Sequence, residues 1–412
     1  MSASDAALAS WAASGAMWLT GRPDGPPMTS PGAPATRIAT DLSALADATT
    51  RRTGSTPRLP DCRLLGERAA IAGLTRQGPW SCGGSFRALP TVDSWLGISL
   101  ARPSDLDLVP ALLEVDEIGD PWAELAEWAK GRTTDEAAAR VALLGLPGRG
   151  VRTTPPKLDR GAVVHTPGGV RARVRERPLV LDFTSLWAGP LCAHLLGLGG
   201  AEVIKVESVS RLDGARRGPK AFFDLLHHGH RSVTVDFADP AQRAALLELA
   251  RTADVILEAS RPRALAALGL PATDLVADGL IWVSITAQGR DVDAVGFGDD
   301  VAAGAGLVAL DHEEVLPCGD ALADPLAGVA AARATAQALL EDHGALLDVS
   351  MHAVSTEAGA GGPIGAEVEA AGPTSWRVRS AGPWHEVAVP SARTPAGIAA
   401  APGAHNGEVF RR

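Results

Sequence analysis

Five short apolar runs recur between residues 179 and 286, and the stretches between them carry helical periodicity. The runs are LVLDF (179–183), AEVIKVE (201–207), SVTVDF (232–237), DVILE (254–258) and LIWVSIT (280–286). Each is a short run with apolar or β-rich character bounded by turn formers, so each predicts a strand. Residues 189–197 predict a helix with Pro190 in its first turn, and 241–250 predict another behind Asp239-Pro240 as N-cap and N1. A short helix fits 265–268. Strands alternating with helices need a mostly parallel sheet covered on both faces. The expectation is an α/β fold: a doubly wound, Rossmann-like parallel-sheet domain.

Outside this region the pattern loosens. Residues 321–344 predict one long helix, with Asp324-Pro325 at its start and Gly344 as its C′ glycine. Upstream, helical runs at 105–113 and 122–130 and a β-like run at 95–99 suggest a smaller α+β domain. The expected organisation is a small domain over 1–148, a basic Pro/Gly linker over 149–177, the large domain over 178–358 and a loose tail over 359–412. One internal echo links the ends. Residues 12–54 align without gaps to 302–344 at a constant offset, pairing Pro27 with Pro317 and Gly54 with Gly344. Many of the matches are alanine in an alanine-rich chain, but the helical periodicity agrees in both copies, which favours a decayed repeat. Asp324 then faces Pro34, so only the second copy keeps a carboxylate.

Composition removes several function classes. Acidic residues outnumber basic ones, 48 to 38, a balance that argues against nucleic-acid binding. Apolar stretches such as 301–310 are far short of the ~20 residues that span a bilayer, so no membrane partner is expected. The opening MSASDAALAS lacks a basic region and is not read as a secretory signal. Cys62, Cys82, Cys192 and Cys318 are too dispersed for a disulfide framework or a metal site, which points to a reducing cytoplasm. The weight of alanine, glycine and arginine reads as codon bias. With lysine rare, phosphate contacts fall to arginine, histidine and backbone amides.

The first predicted turn, TSLWAGPL, lacks G-x-G-x-x-G, so dinucleotide binding is demoted. It still faces the carboxyl edge of the sheet, where such folds bind ligands. Arg211, Arg216, Arg217 and Lys220 follow the second strand, and Arg261 and Arg263 follow the fourth. Two such clusters at one sheet edge would suit a ligand with several phosphates, although loop arginines are commonly just solvated. His227, His228 and His230 precede a strand and share no helix face, so no metal is expected there. No G-x-S-x-G nucleophile elbow occurs. Asp324, at a helix start, is either an ordinary cap, as Asp239 is, or a carboxylate whose charge the helix dipole favours.

These stretches together resemble the class III CoA-transferase family, which includes formyl-CoA:oxalate and carnitine CoA-transferases and α-methylacyl-CoA racemase. The resemblance runs through LVLDFTSLWAGPLCAHLLGLGGAEVIKVE, HRSVTVDFADPAQRAALLELARTADVILEASRPRALAALGL, WVSITAQGR, FGDDVAAGAG and GDALADPLAGVAAA. It implies that Asp324, opening the D-x-x-x-G element that ends at Gly328, is the catalytic aspartate. It also implies CoA contacts at Leu186, Ala188, Arg216, His230, Arg231, Ser260, Arg261 and Arg263. His230 departs from the family's usual lysine. The racemase's G-H-D element reads Gly298-Asp299-Asp300 here, which removes its base and makes racemisation a poor fit. Residues 78–111 resemble the family's small domain but precede the large one, so the order is permuted. Gly83-Gly84 falls where relatives carry a glycine loop that closes on the active site, or is a simple turn.

The resemblance implies CoA transfer from an acyl-CoA donor to a carboxylic acid through an aspartyl anhydride and an aspartyl-CoA thioester. CoA and acyl-CoA would be substrates, with no permanently bound cofactor, and the assembly would be a homodimer. Two other readings stand beside it: a catalytically inactive acyl-CoA-binding homologue, and an acyl-CoA isomerase or racemase using Asp299 or Asp300 as base.

Overall fold

The computed structural model describes residues 2–171, 175–260, 262–362 and 365–410. Its centre is a seven-stranded sheet of order β4-β12-β9-β8-β5-β6-β7. The first predicted run becomes β5 (Leu179–Asp182), and the others become β6 (Glu202–Ser208), β7 (Arg231–Val235), β8 (Val255–Glu258) and β9 (Ile281–Thr286). All five pair in parallel, as the doubly wound pattern requires. From β5 the chain steps outward through β6 and β7, then returns to β8 on the other side. That reversal opens a crevice at the carboxyl ends of β5 and β8.

Two further strands went unread in the sequence. The long helix expected over 321–344 stops early, and His343–Ser350 becomes β12, parallel to β9. Gly344 is therefore no helix cap: a Cβ there would lie 2.5 Å from the Gly279 carbonyl carbon, so the glycine admits a close backbone crossing. β4 (Val163–Val170) pairs antiparallel with β12 as an edge strand, so the segment 149–177 supplies part of the sheet as well as a connection. Residues 359–412 also fold back. They form a small sheet of β13 (Glu367–Gly372), β14 (Ser375–Arg379) and β15 (His385–Glu386), and then lie along β7, where His405 Nδ1 accepts from Ser232 N at 3.1 Å.

The N-terminal residues divide between two units. β1 (Phe86–Pro90), β2 (Trp95–Ser99) and β3 (Gly148–Gly150) form an antiparallel sheet. Leu96, Ile98, Leu125 and Val141 build the separate core against it. By contrast α1 (Ala3–Ala13) and α2 (Pro34–Thr53) bury Leu8, Trp11, Ile38 and Leu45 in the core of the large unit. They are not part of the small unit, because their apolar faces match the large one. α3 (Glu67–Ala72) follows them and carries Arg68.

Two helices matter most for the site: α4 (Ala188–Leu198), after β5, and, past α5 (Gly298–Gly304), α6 (Ala323–Ala338). α6 is buried on nearly all sides, and half of its residues are alanine. Its counterpart in the sequence echo, α2, packs against it, and Arg333 Nε lies 3.1 Å from Asp41 Oδ1 across that contact. Against α4 the approach is closer still. A Cβ on Gly328 would stand 2.5 Å from the Ala188 carbonyl oxygen and 3.2 Å from Leu191 Cβ. One on Gly189 would overlap the Thr184 side chain. The A-G-P and D-x-x-x-G elements are thus two halves of one backbone contact.

Beneath that contact Lys205 of β6 is buried between two carboxylates, 3.5 Å from Asp182 Oδ2 and 3.0 Å from Asp213 Oδ2. Burial opposes its charge, but Asp182 and Asp213 outweigh this and hold the ammonium above its ordinary pKa. Lys205 also donates to the Thr184 carbonyl. Asp182 accepts from Thr184 N at 2.9 Å, and Asp213 accepts from Leu186 N at 3.0 Å. One cation therefore fixes both ends of the turn between β5 and α4.

Gly328→Ala gains about 1 kcal/mol of helix propensity. The clash with a carbonyl oxygen outweighs this, and overpacking of that kind costs about 1–3 kcal/mol. The urea midpoint should fall. Lys205→Met strands two buried carboxylates and should destabilise by about 3–5 kcal/mol at neutral pH. Those carboxylates would then bind protons more tightly folded than unfolded, so the loss should shrink as pH falls from 8 to 5 in parallel denaturation curves.

Candidate active site

Asp324 lies in the first turn of α6, after the tight turn Gly319-Asp320-Ala321. Ala321 is held at φ +44°, a left-handed conformation unusual for alanine. Two hydrogen bonds fix it: Ala321 N donates to Asp299 Oδ1 at 3.0 Å, and Asp324 N donates to Ala321 O at 2.9 Å. Asp299 stands in the first turn of α5, whose Gly298 touches Ala321 too closely for any side chain. The helix start that carries Asp324 is thus braced from outside.

A cation that acts on Asp324 comes from another part of the chain. Arg68 Nε donates to Asp320 Oδ2 at 2.9 Å, and its guanidinium lies 5.1 Å from the Trp187 ring centroid in the β5–α4 turn. The glycine loop of the small unit meets the same ion pair. Cys82 Sγ is 3.3 Å from Asp320 Oδ1, and a Cβ on Gly83 would stand 3.6 Å from Arg68 Nη2. Gly84 takes φ +74° to turn the loop. Arg68, Asp320, Trp187 and the Gly83-Gly84 loop therefore converge beside the start of α6.

The electrostatics of this locus are unusual. Burial pushes the Asp324 carboxyl up to about 7, Asp299, Asp300 and Asp320 add to the rise, and Arg68 opposes it. Burial and then Asp320 push Asp299 up to about 7 as well. Burial works against the Arg68 charge, but Asp320 beside it raises the guanidinium above its ordinary value. The Cys82 thiol is driven well upward by burial and by Asp320 and Asp299, so it stays protonated. A partly desolvated carboxylate poised near neutrality suits nucleophilic or acid–base work.

The other candidate residues divide. Leu186, at φ +70° and half-exposed, forms the lip of the β5–α4 turn, with Gly214 of the next loop packed on its side chain. Ala188 opens α4 and presents its carbonyl to Gly328. Arg216 lies on the same rim, paired with Glu207 at 2.8 Å and 4.4 Å from the Phe223 ring. Ser260, at the carboxyl end of β8, has a buried Oγ without a hydrogen-bond partner. Arg263 is exposed and pairs with Asp293 at 2.8 Å. Arg261 lies outside the described residues.

His230 and Arg231 do not join this set. Arg231 opens β7 and pairs with Glu202, the first residue of β6, so both lie at the amino edge of the sheet. His230 is buried against Gly197, near the carboxyl end of α4. Burial, then Lys205 and His228, push its imidazole down to about 3, which leaves it neutral. The carboxyl rim beside β6 is instead reached by the residues closing β7, around Val235 and Asp236. The strand-end rule carried the signal, since a pair placed before a strand cannot sit at its carboxyl end. Arg68 and Trp187 were also missed. Trp187 stood inside the A-G-P turn, while Arg68 carries no local signal.

The sequence pattern of CoA-transferase family III matches residues 178–362. A probable fatty acyl-CoA transferase of Mycobacterium tuberculosis is 43% identical over 122 residues, 27% of this chain and 30% of that protein. The succinyl-CoA–D-citramalate CoA-transferase of Chloroflexus aurantiacus is 31% identical over 199 residues, 43% of this chain and 50% of its own. A formyl-CoA:oxalate CoA-transferase of Rhodopseudomonas palustris is 36% identical over 99 residues, 22% and 23% of the two chains. The chain thus spans about a quarter to a half of the length of these curated relatives. Among solved structures, a CAIB/BAIF family protein from Brucella suis overlays with a TM-score of 0.42 at 26% identity, over 47% of this chain and 56% of that one. Over residues 178–362 the chain is similar to CoA-transferase family III.

Proposed function

We propose that the chain transfers CoA from an acyl-CoA donor to a carboxylic acid, as a cytoplasmic homodimer, with Asp324 as nucleophile. What supports this reading above all is the convergence of a half-desolvated carboxylate, a glycine loop and the carboxyl-edge turn of a parallel sheet at one locus. Family-level CoA transfer by the relatives points the same way.

An Asp324 carboxylate oxygen attacks the donor thioester carbon, the C–S bond breaks, and CoA leaves as thiolate with the electron pair. The thiolate then attacks the Asp324 carbonyl carbon, expelling the donor acid and leaving an aspartyl-CoA thioester. The acceptor carboxylate attacks that carbonyl, and the released thiolate takes the acyl group from the resulting anhydride. Atoms balance and no net proton is consumed. Partial burial of Asp324 favours its attack and helps exclude water, which would hydrolyse each intermediate. In this reading the Gly83 amide donates to the tetrahedral oxyanions, since the Gly84 amide already donates to Ser81 O at 2.8 Å.

One observation favours a second reading. Asp299 is buried beside Asp324 with its carboxyl near 7, a value suited to a base that removes an α-proton. An isomerase would exchange that proton with solvent deuterium.

Incubation with an acyl-CoA and hydroxylamine should leave a hydroxamate on Asp324, read by mass spectrometry. Asp324→Asn should abolish it and lower turnover at least about a thousandfold. Thioester binding without label would instead identify an inactive binding protein, and α-proton exchange without label an isomerase. Because Asp324 must be ionised to attack, kcat/KM should fall about tenfold per pH unit below about 7. Asp299→Asn removes a repelling charge and should move that limb to lower pH.

A further inference from the structure

Away from Asp324, on the far side of α5, a cavity of about 370 Å³ opens between the small unit and the carboxyl ends of β9 and β12. Arg149, Arg152, Gln288 and His352 line it, with Asp93 and Asp135 on the wall of the small unit. Its size falls in the range of small-molecule sites.

Arg149 is the built feature. Its residue is only 9% exposed, and its Nε donates to Asp300 Oδ2 at 3.1 Å while Nη2 donates to Val295 O at 3.2 Å. Two glycines clear a slot for it. A Cβ on Gly296 would stand 2.5 Å from Nη2, and one on Gly304 would collide with Cδ. The remaining nitrogen, Nη1, is buried with no hydrogen-bond partner. Arg149 lines the cavity, and its guanidinium, bonded through two nitrogens, leaves the third a buried donor without a partner, a cost that an acceptor would relieve.

The surroundings narrow the choice of acceptor. Arg152 adds an exposed second cation. His352 Nε2 lies 3.2 Å from Gly304 O and is the donating nitrogen there, which leaves Nδ1 as an acceptor on a neutral ring. Burial, then Arg149 and Arg152, hold that imidazole below its ordinary pKa. Asp93 is already engaged, accepting from Thr134 N and Oγ1 at 2.8 Å each. We infer that the cavity binds a small carboxylic acid bearing a hydroxyl, its carboxylate on Arg149 and Arg152 and its hydroxyl toward His352 or Asp135. This inference does not rest on the transferase reading.

Calorimetric titration of the full chain with malate tests it. Saturable binding is expected, weakened about tenfold or more by Arg152→Gln and unchanged by Asp324→Asn. Inorganic phosphate should bind more weakly than malate, and ethanolamine should give no heat. Three results would each overturn the assignment: no saturable heat with malate, equal affinity in Arg152→Gln, or phosphate binding more tightly than malate. Loss of binding in Asp324→Asn would also overturn it, by moving the acid to the transfer site.

Discussion

The close crossing of α6 over α4 is the constraint from which the rest follows. Only a glycine at 328 lets the two backbones meet at the Ala188 carbonyl, about one turn along α6 from Asp324. The β5–α4 turn depends on Lys205, which anchors Thr184 directly and Leu186 through Asp213. A dispersive contact and a buried charge network thus act in series. Neither could place Asp324 alone: close packing sets the distance, and the ion pairs set the path of the turn.

The carboxylates at the head of α6 run against stability. Asp299, Asp300, Asp320 and Asp324 share a small volume, with Arg68 and Arg149 as the nearby paired cations. Burial and mutual repulsion raise Asp324 and Asp299 together, so the folded state holds protons that the unfolded chain releases. Their contribution is favourable below the ordinary carboxylate range and fades as pH rises toward 7. Strain of this kind is common where a protein keeps a group reactive.

Much of the fold could be read in the sequence because it is local. The five strands from 179 to 286 announce themselves by apolar runs between turn residues, and the parallel sheet follows from their alternation with helices. β12 was missed because only four residues separate it from an alanine-rich helix, and periodicity alone does not say where one state yields to another. β4 was hidden in a stretch whose prolines and glycines suggest a connection, which is what an edge strand tolerates. At the site, Asp324 and Leu186 could be found through motifs. Arg68 could not, since its partner Asp320 lies 252 positions away. His230 and Arg231 came from the resemblance alone, and their place before β7 sets them at the amino edge of the sheet, apart from the other candidates.

The alanine richness that looked like a codon habit has a mechanical meaning in α6. A rod walled by methyl groups has almost no rotamers through which to absorb a push. Any small displacement of α2 or α4 must therefore pass along its axis instead of dissipating sideways. With Gly328 as fulcrum, α6 would act as a stiff lever, and the Asp324 carboxylate at its tip would move with whatever leans on its flanks.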